Sequence, residues 1–241
     1  MALFYCENIT DFVELPTEEA RHLAAHRRRE GDCIELFDGR GTSAKGVITM
    51  LSKRSAALEV TDIRKRPPRE NAIITLVISV AKGQRFDWLI AKATELGADR
   101  IFPCIYSRTV KTGEGKNLGE RYRNLAISAC KQCGRPFLPM ISPPLTFSEH
   151  LTSLKGARLL TASLRGNRGS LFDEDFSDTR ERAVFVGPEG GFTPEEEAML
   201  EEAGALNVKL TDAILRTETA ALAACSILAA MRDNQLTQPV A

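Results

Sequence analysis

The sequence predicts an α/β protein of two domains: a small β-rich domain over residues 1–68, then a larger domain over residues 69–241 built on a parallel sheet with helices. Three observations carry this reading. After residue 70, near-continuous apolar runs such as Ala72–Ala81 alternate with amphipathic segments at helical spacing, the pattern of strands covered on both faces. Before residue 64 the apolar runs are short and turn signals separate them. Between the two patterns, Arg64-Lys-Arg-Pro-Pro-Arg-Glu70 has no apolar side chain besides two prolines, which continue neither a ladder nor a helix and so suit a linker.

A chain of 241 residues with 43% hydrophobic content has ample material for a packed core. No run approaches the ~18 to 20 apolar residues of a membrane span, and no basic-then-apolar leader opens the chain, so no membrane partner and a cytoplasmic location are expected. Cys6, Cys33, Cys104, Cys130, Cys133 and Cys225 are scattered, which favours reduced thiols over disulfides. Only Cys130 and Cys133 have metal-like spacing, and without a second pair nearby no metal site is expected. The formal charge is zero, 32 basic residues against 32 acidic ones. That balance hides an asymmetry, because residues 71–180 hold 16 Lys/Arg and 10 Asp/Glu while residues 181–241 hold 4 and 10. A basic patch for phosphate contact is therefore compatible with a neutral total.

In the first domain, Cys33–Phe37, Lys45–Leu51 and Ala56–Ile63 read as strands, with turns at Gly31-Asp32, Asp38–Gly41 and Ser52–Ser55. Arg21, His22, His26, Arg27, Arg28 and Arg29 form the densest basic cluster in the chain. His22 and His26 share a face if the segment is helical, but no third metal ligand accompanies them. Phosphate contact through His22, Arg27 and Arg28 and a plainly solvated surface both remain open.

In the second domain, strand Ala72–Ala81, helix Gln84–Glu95 closed by Gly97, and strand Arg100–Ile105 make a βαβ unit. Lys82 and Arg85 fall at its strand-to-helix turn, where open sheets bind ligands, and are candidate RNA or substrate contacts; exposed loop charge is the alternative. A helix over Leu118–Cys133 ends at Gly134, with Arg135 beside it. Ala157–Ala162 reads as a strand with Thr161 near its end, followed by a basic loop containing Arg165 and Arg168. Ala183–Val186 and Leu206–Leu210 complete five strands.

The most informative stretch begins at the end of the fourth of these strands. Gly187-Pro-Glu-Gly-Gly191 is a stiff turn whose glycines take positive φ or leave room for a ligand. Thr193, Pro194 and Glu196 then fit an N-cap, a first helical position and a capping-box partner. The glycine spacing matches neither nucleotide fingerprint, and Glu189 sets a carboxylate where a phosphate would sit. A cationic, phosphate-free nucleoside such as S-adenosylmethionine fits better. After the fifth strand, Leu215-Arg-Thr-Glu-Thr-Ala-Ala-Leu222 opens the last helix.

Gly187-Pro-Glu-Gly-Gly191 together with Ile214-Leu-Arg-Thr-Glu-Thr-Ala220 closely resembles the RsmE family of the SPOUT superfamily, enzymes that methylate N3 of a uridine in small-subunit (16S) ribosomal RNA. Phe86-Asp-Trp-Leu, Lys92-Ala-Thr-Glu-Leu-Gly97, Gln132-Cys-Gly-Arg135 with Pro139, and His22-Leu23 with Gly31-Asp32 extend the resemblance over nearly the whole chain. The resemblance implies a PUA-like RNA-binding β-barrel followed by a SPOUT-type domain with a trefoil knot, and a homodimer acting on 16S rRNA or the assembled small subunit. It also implies that Gly187, Gly190, Gly191, Leu210, Ile214 and Leu215 hold S-adenosylmethionine; Glu189, in the same glycine loop, and Thr161, ending a preceding strand at the same sheet edge, are expected to line the pocket with them. It marks Gln132 and Arg135 as contacts to RNA or a second subunit, and closing their helix is an equal alternative.

Methyl transfer to a uracil nitrogen needs orientation, loss of the N3 proton and stabilisation of the charge left on the base oxygens. Arg216 supplies a cation for the anionic base, and Glu218 a carboxylate able to take the proton directly or through water. Glu218 has a second reading: with Thr217 as cap, it sits in the first turn of the last helix and favours the dipole there. Two other functions stay open at this level, a non-catalytic RNA-binding protein and a doubly wound domain for a phosphorylated nucleotide.

Overall fold

The computed structural model describes residues 3–80, 83–110, 117–163 and 169–237. Contacts divide the chain into two units, Met1–Pro68 with Ile127–Leu138, and Arg69–Ala126 with Pro139–Ala241.

The first unit contains β1 (Leu3–Tyr5), β2 (Phe12–Leu15), α1 (Thr17–Ala25), β3 (Cys33–Phe37), β4 (Thr42–Leu51) and β5 (Ala56–Lys65). They form one sheet in the order β1-β3-β4-β5-β2, parallel between β1 and β3 and antiparallel elsewhere. Alternation along β3 to β5 sends Ile34, Leu36, Ile48, Leu58 and Val60 inward to meet Phe4, Leu15 and Leu23. Register shifts between Ser43/Lys45 and Ile48/Met50 mark bulges on the long β4–β5 pair, the device that bends a ribbon. The segment Ile127–Leu138 is stitched to the β3–β4 turn by bonds from Gly41 N to Pro136 O (3.1 Å) and from Leu138 N to Gly39 O (2.9 Å).

The second unit contains β6 (Ile74–Ser79), α2 (Gln84–Leu96), β7 (Arg100–Ile105), α3 (Leu118–Cys133, which continues into the first unit), β8 (Met140–Ile141), β9 (Leu145–Thr146), α4 (Phe147–Ser153), β10 (Arg158–Thr161), β11 (Gly169–Ser170), β12 (Arg182–Val186), α5 (Pro194–Glu202), β13 (Leu206–Lys209) and α6 (Thr217–Thr237). The sheet runs β11-β13-β10-β12-β6-β7-β8, with β9 also on β7, and every pairing is parallel. Its middle five strands are those expected from the apolar runs.

Every residue of β6 and β12 is buried, as a sheet with both faces covered requires. Ile74, Leu76, Ile78, Val184 and Val186 face a core with Leu89, Ile90, Ala224 and Leu228 of α2 and α6. Val77, Ala183 and Phe185 point the other way, to Phe147, Leu154 and Leu200 on the α4–α5 side. Fully burying each large apolar side chain stabilises the unit by about 1.5–3 kcal/mol, which makes these layers a rigid platform. Among the described residues no helix is long and apolar enough to cross a membrane. All six cysteines are free thiols.

Three strands of this sheet, β10, β12 and β13, release the chain at their carboxyl ends into Ala162, Gly187 and Leu210 respectively. That edge is where open α/β sheets take ligands.

Candidate active site

A cleft of about 290 Å³ lies at this edge, lined by Ala162 and Ser163 after β10, Val186–Phe192 after β12, and Leu210, Thr211, Ala213, Ile214 and Leu215 after β13, with Thr217 and Ala220 of α6. Gly187, Glu189, Gly190, Gly191, Leu210, Ile214 and Leu215, the residues singled out in two separate loops, thus share one cavity. Thr161 stands one residue before it; its hydroxyl is buried and has no hydrogen-bond partner among the described residues.

The first loop is shaped from within. Only Gly191 of its three glycines has a left-handed backbone, φ +71°, where a side chain would be strained. Gly187 and Gly190 lie outside that region; they make room for the protein itself rather than for positive φ. A Cβ on Gly187 would lie 3.2 Å from the Phe192 ring, and one on Gly190 3.3 Å from Arg108 Cδ. Phe192 is buried edge-on against Tyr106, ring centroids 5.4 Å apart, and Tyr106 donates to Val77 O at 3.1 Å. The turn is therefore anchored to the middle of the sheet through two aromatic rings.

The helix that follows starts as its residues require. Glu196 N donates to the Thr193 hydroxyl and Thr193 N to Glu196 Oε2, with Pro194 first in α5. Glu196 has a second task that its spacing does not announce: Oε1 accepts from Ser107 N at 2.8 Å, in the loop after β7. Its helical neighbour Glu197 lines the cleft and accepts from the Ser163 hydroxyl at 3.2 Å. Two carboxylates, Glu189 and Glu197, so face one cavity, which makes it hospitable to a cation and poor for a phosphate. Glu197 is absent from the sequence-derived set because a glutamate in a first helical turn reads as a dipole partner.

The second loop supplies the apolar wall. Leu210 and Leu215 are half-buried, whereas Ile214 is 82% exposed at the rim. The two loops are tied together by Thr217, whose hydroxyl donates to Gly187 O at 2.9 Å. This differs from the capping role expected for Thr217, because α6 already includes it and its hydroxyl is spent on the other loop. Arg216 is exposed immediately before α6, and Glu218 is buried in the first turn. Neither is on the cleft lining, although Thr217 between them is.

The RNA-contact candidates fall in both units. In the first, His22 packs on Phe4 with ring centroids 5.0 Å apart, its Nε2 3.0 Å from His26 Nε2 and its Nδ1 3.6 Å from Glu19, which also pairs with Lys131. Burial, aided by the Lys131 ammonium, holds the His22 imidazole below the usual histidine range, so at neutral pH it offers a ring rather than a charge. Arg27 is exposed with φ 55°, while Arg28 and Arg135 are half-buried. In the second unit Arg85 is exposed at the start of α2. Lys82 and Arg165 lie outside the described residues, as does the polar segment 111–116. Among the described residues no group of three or more His, Cys, Asp or Glu is placed to hold a metal ion.

A parallel α/β sheet whose carboxyl edge carries such a cleft agrees with the family comparison, in which an RNA methyltransferase domain matches residues 68–229. The protein is an RNA methyltransferase by class. Ribosomal RNA small subunit methyltransferase E of Aquifex aeolicus is 32% identical over 95% of this chain and 99% of its own length, and that of Mycobacterium tuberculosis 30% over 92% and 88%. The crystal structure of ribosomal RNA small subunit methyltransferase E from Neisseria gonorrhoeae, bound to S-adenosyl methionine, superposes with a TM-score of 0.83 at 34% identity, covering 94% of this chain and 96% of that one. The chain belongs to the ribosomal RNA small subunit methyltransferase E family.

Proposed function

We propose that the protein methylates N3 of a uridine in 16S ribosomal RNA, with S-adenosylmethionine held in the cleft between the loops after β12 and β13. The observation that carries the reading is the cleft itself: two loops remote in sequence, joined by the Thr217–Gly187 bond, enclose about 290 Å³ and present Glu189 and Glu197. The residues fit the donor's chemistry. Carboxylates suit its sulfonium and ammonium groups, exposed loop backbone suits the polar edge of an adenine, and Leu210, Ile214 and Leu215 suit the ring faces. The buried Thr161 hydroxyl, without a hydrogen-bond partner among the described residues, stands beside this wall as a further polar group. Bound there, S-adenosylmethionine supplies an electrophilic methyl group.

The chain's own residues do the rest. Arg216, exposed beside the cleft, offers its guanidinium to the charge that gathers on the uracil oxygens as N3 loses its proton. Glu218, one residue into α6 from the cleft-lining Thr217, accepts that proton directly or through a water. Orientation comes from the rigidity of the loops.

RNA is held by the N-terminal unit acting as a PUA-like module through Arg27, Arg28, Arg135 and the His22 ring, and separately by Lys82, Arg85 and Arg165 of the second unit. The five-stranded mixed sheet and its bulged central pair support the PUA-like reading. The SPOUT trefoil knot is supported by family membership and by α6 being fastened to the loop after β12 rather than hanging free of it. The protein works as a homodimer in the cytoplasm. The test is incubation with isotopically labelled S-adenosylmethionine and small ribosomal subunits lacking the modification, then mass analysis of nucleosides. Labelled N3-methyluridine is expected; label in another nucleoside, or none, removes the proposal.

A further inference from the structure

The described surface of the second unit includes one exposed arginine whose hydrogen bonds go to the wall of the cleft. Arg108, in the loop after β7, donates through Nη1 to Gly190 O at 2.8 Å and to Phe192 O at 3.0 Å. One nitrogen thus bridges two carbonyls of the same turn, and bonds with an ionised donor are about twice as strong as neutral ones. We propose that Arg108 is a positioning residue: it holds the backbone of Gly190–Phe192 in the shape that receives the methyl donor. This rests on the reading of the cleft as the donor site.

Gly190 gives independent support. Its backbone does not need glycine for φ, since it lies outside the left-handed region. A Cβ there would lie 3.3 Å from Arg108 Cδ and 3.5 Å from Arg108 Cβ. The first separation is tighter than ordinary van der Waals contact and the second is within it, so the arginine stem lies against the turn and a side chain there would press on it. A second fastening sits one residue away, where Ser107 N donates to Glu196 Oε1. The loop after β7 is therefore fastened at two adjacent points, to the glycine turn through Arg108 and to the first turn of α5 through Ser107. They differ in kind. Glu196 is 4% exposed and completes the capping box of α5, so its loss would damage the fold. Arg108 is exposed and contributes little burial, so its loss should free the turn and leave the sheet intact.

The consequence is preorganisation. A turn that samples several shapes must be ordered on binding, and that ordering is subtracted from affinity. Arg108 acts on the donor through the turn.

Five proteins test this: the wild type, Arg108→Ala, Arg108→Lys, Gly190→Ala and the double variant Gly190→Ala with Arg108→Ala. Hydrogen exchange without any ligand is the first readout. Arg108→Ala should speed exchange of the amides from Gly190 to Thr193 while β6 and α2 keep their protection. Calorimetry with S-adenosylmethionine is the second. Arg108→Ala should weaken binding about tenfold, as expected when a preorganised wall is loosened, leave the KM for RNA at saturating donor unchanged, and be partly rescued by Arg108→Lys. The loss caused by Gly190→Ala should shrink in the Arg108→Ala background, since the two share one contact. Unchanged exchange in the turn, donor affinity within twofold of wild type, or strictly additive effects would each overturn the assignment. Were the wild type to bind no S-adenosylmethionine while Arg108→Ala still loosened the turn, the donor reading would fail and the clamp would stand.

Discussion

Replacing Thr217 by valine removes one hydroxyl and keeps the shape of the side chain, which isolates the single bond joining the two loops of the cleft. Thr217 is 6% exposed and its Oγ1 lies 2.9 Å from Gly187 O. Leaving a sheltered carbonyl without its donor costs about 1–3 kcal/mol. At roughly 2–4 °C per kcal/mol for a protein of this size, the melting temperature should fall by about 2 to 12 °C. The more telling effect is on the donor. If about half of that penalty is felt as freedom of the two loops in the unliganded protein, binding weakens by roughly three- to tenfold, since 1.4 kcal/mol is a factor of ten. Calorimetry with S-adenosylmethionine and a thermal melt on the same sample measure both quantities, and Thr217→Ser should restore both. A valine variant that melts lower yet binds the donor as the wild type does would show the bond to be structural only. One unchanged in both would show that the bond does not form in solution.

Other perturbations probe separate parts of the account. Arg216→Ala should lower kcat by about 10²–10³, the usual cost of one lost electrostatic stabiliser, with donor affinity unchanged by calorimetry; unchanged turnover refutes its role. Glu189→Gln, at an exposed position on the cleft, should weaken S-adenosylmethionine a few-fold and its uncharged demethylated product less, because an exposed carboxylate is screened; equal loss for both would deny it a charge role. Arg182 is 1% exposed, paired with Glu174 and Asp178 and stacked 4.4 Å from the Phe176 ring centroid. Arg182→Ala should cost roughly 3–5 kcal/mol in urea unfolding by stranding those acids. Burial pushes the Asp178 carboxyl up, but hydrogen bonds from Arg180 and Arg182 more than reverse this and hold it at about 2 against an ordinary 3.8. A depressed carboxyl pKa stabilises the fold above 3.8, and the contribution is lost as pH falls towards about 2. Asp178→Asn should therefore lower the melting temperature at pH 6 and flatten its acid limb; an unaltered slope between pH 4 and 2 counts against the pairing.

Much of the second unit was legible because its strands are buried on both faces, and continuous apolar runs like that of β6 leave little ambiguity. The boundaries of α3 and the capping box of α5 follow from local chemistry, Gly134 in one case and Thr193 with Glu196 in the other. The short strands β1, β8, β9 and β11 were not legible, since two or three residues show no period and exist only through their partners. The grouping of Ile127–Leu138 with the first unit depends on backbone bonds to Gly39 and Gly41, which no local pattern encodes. In the site, the glycine turn and the wall from Leu210 to Leu215 were readable as unusual loops at strand ends. The roles of Arg108, Glu197 and Thr217 were not. Each acts on a residue at least thirty positions away, as with Arg108 and Gly190 or Ser163 and Glu197, and a hydrogen bond of that reach leaves no trace in spacing. Gly187 and Gly190 teach a related lesson: glycine signals closeness without saying to what, and here their nearest neighbours are Phe192 and Arg108.

A crystal structure of this protein grown with saturating S-adenosylmethionine decides whether the two loops form a donor site. Density for the nucleoside between Gly187–Gly191 and Leu210–Leu215, with its charged groups towards Glu189 or Glu197, is the predicted result. A donor bound elsewhere on the protein, or an empty cleft at concentrations that saturate binding in solution, would contradict it.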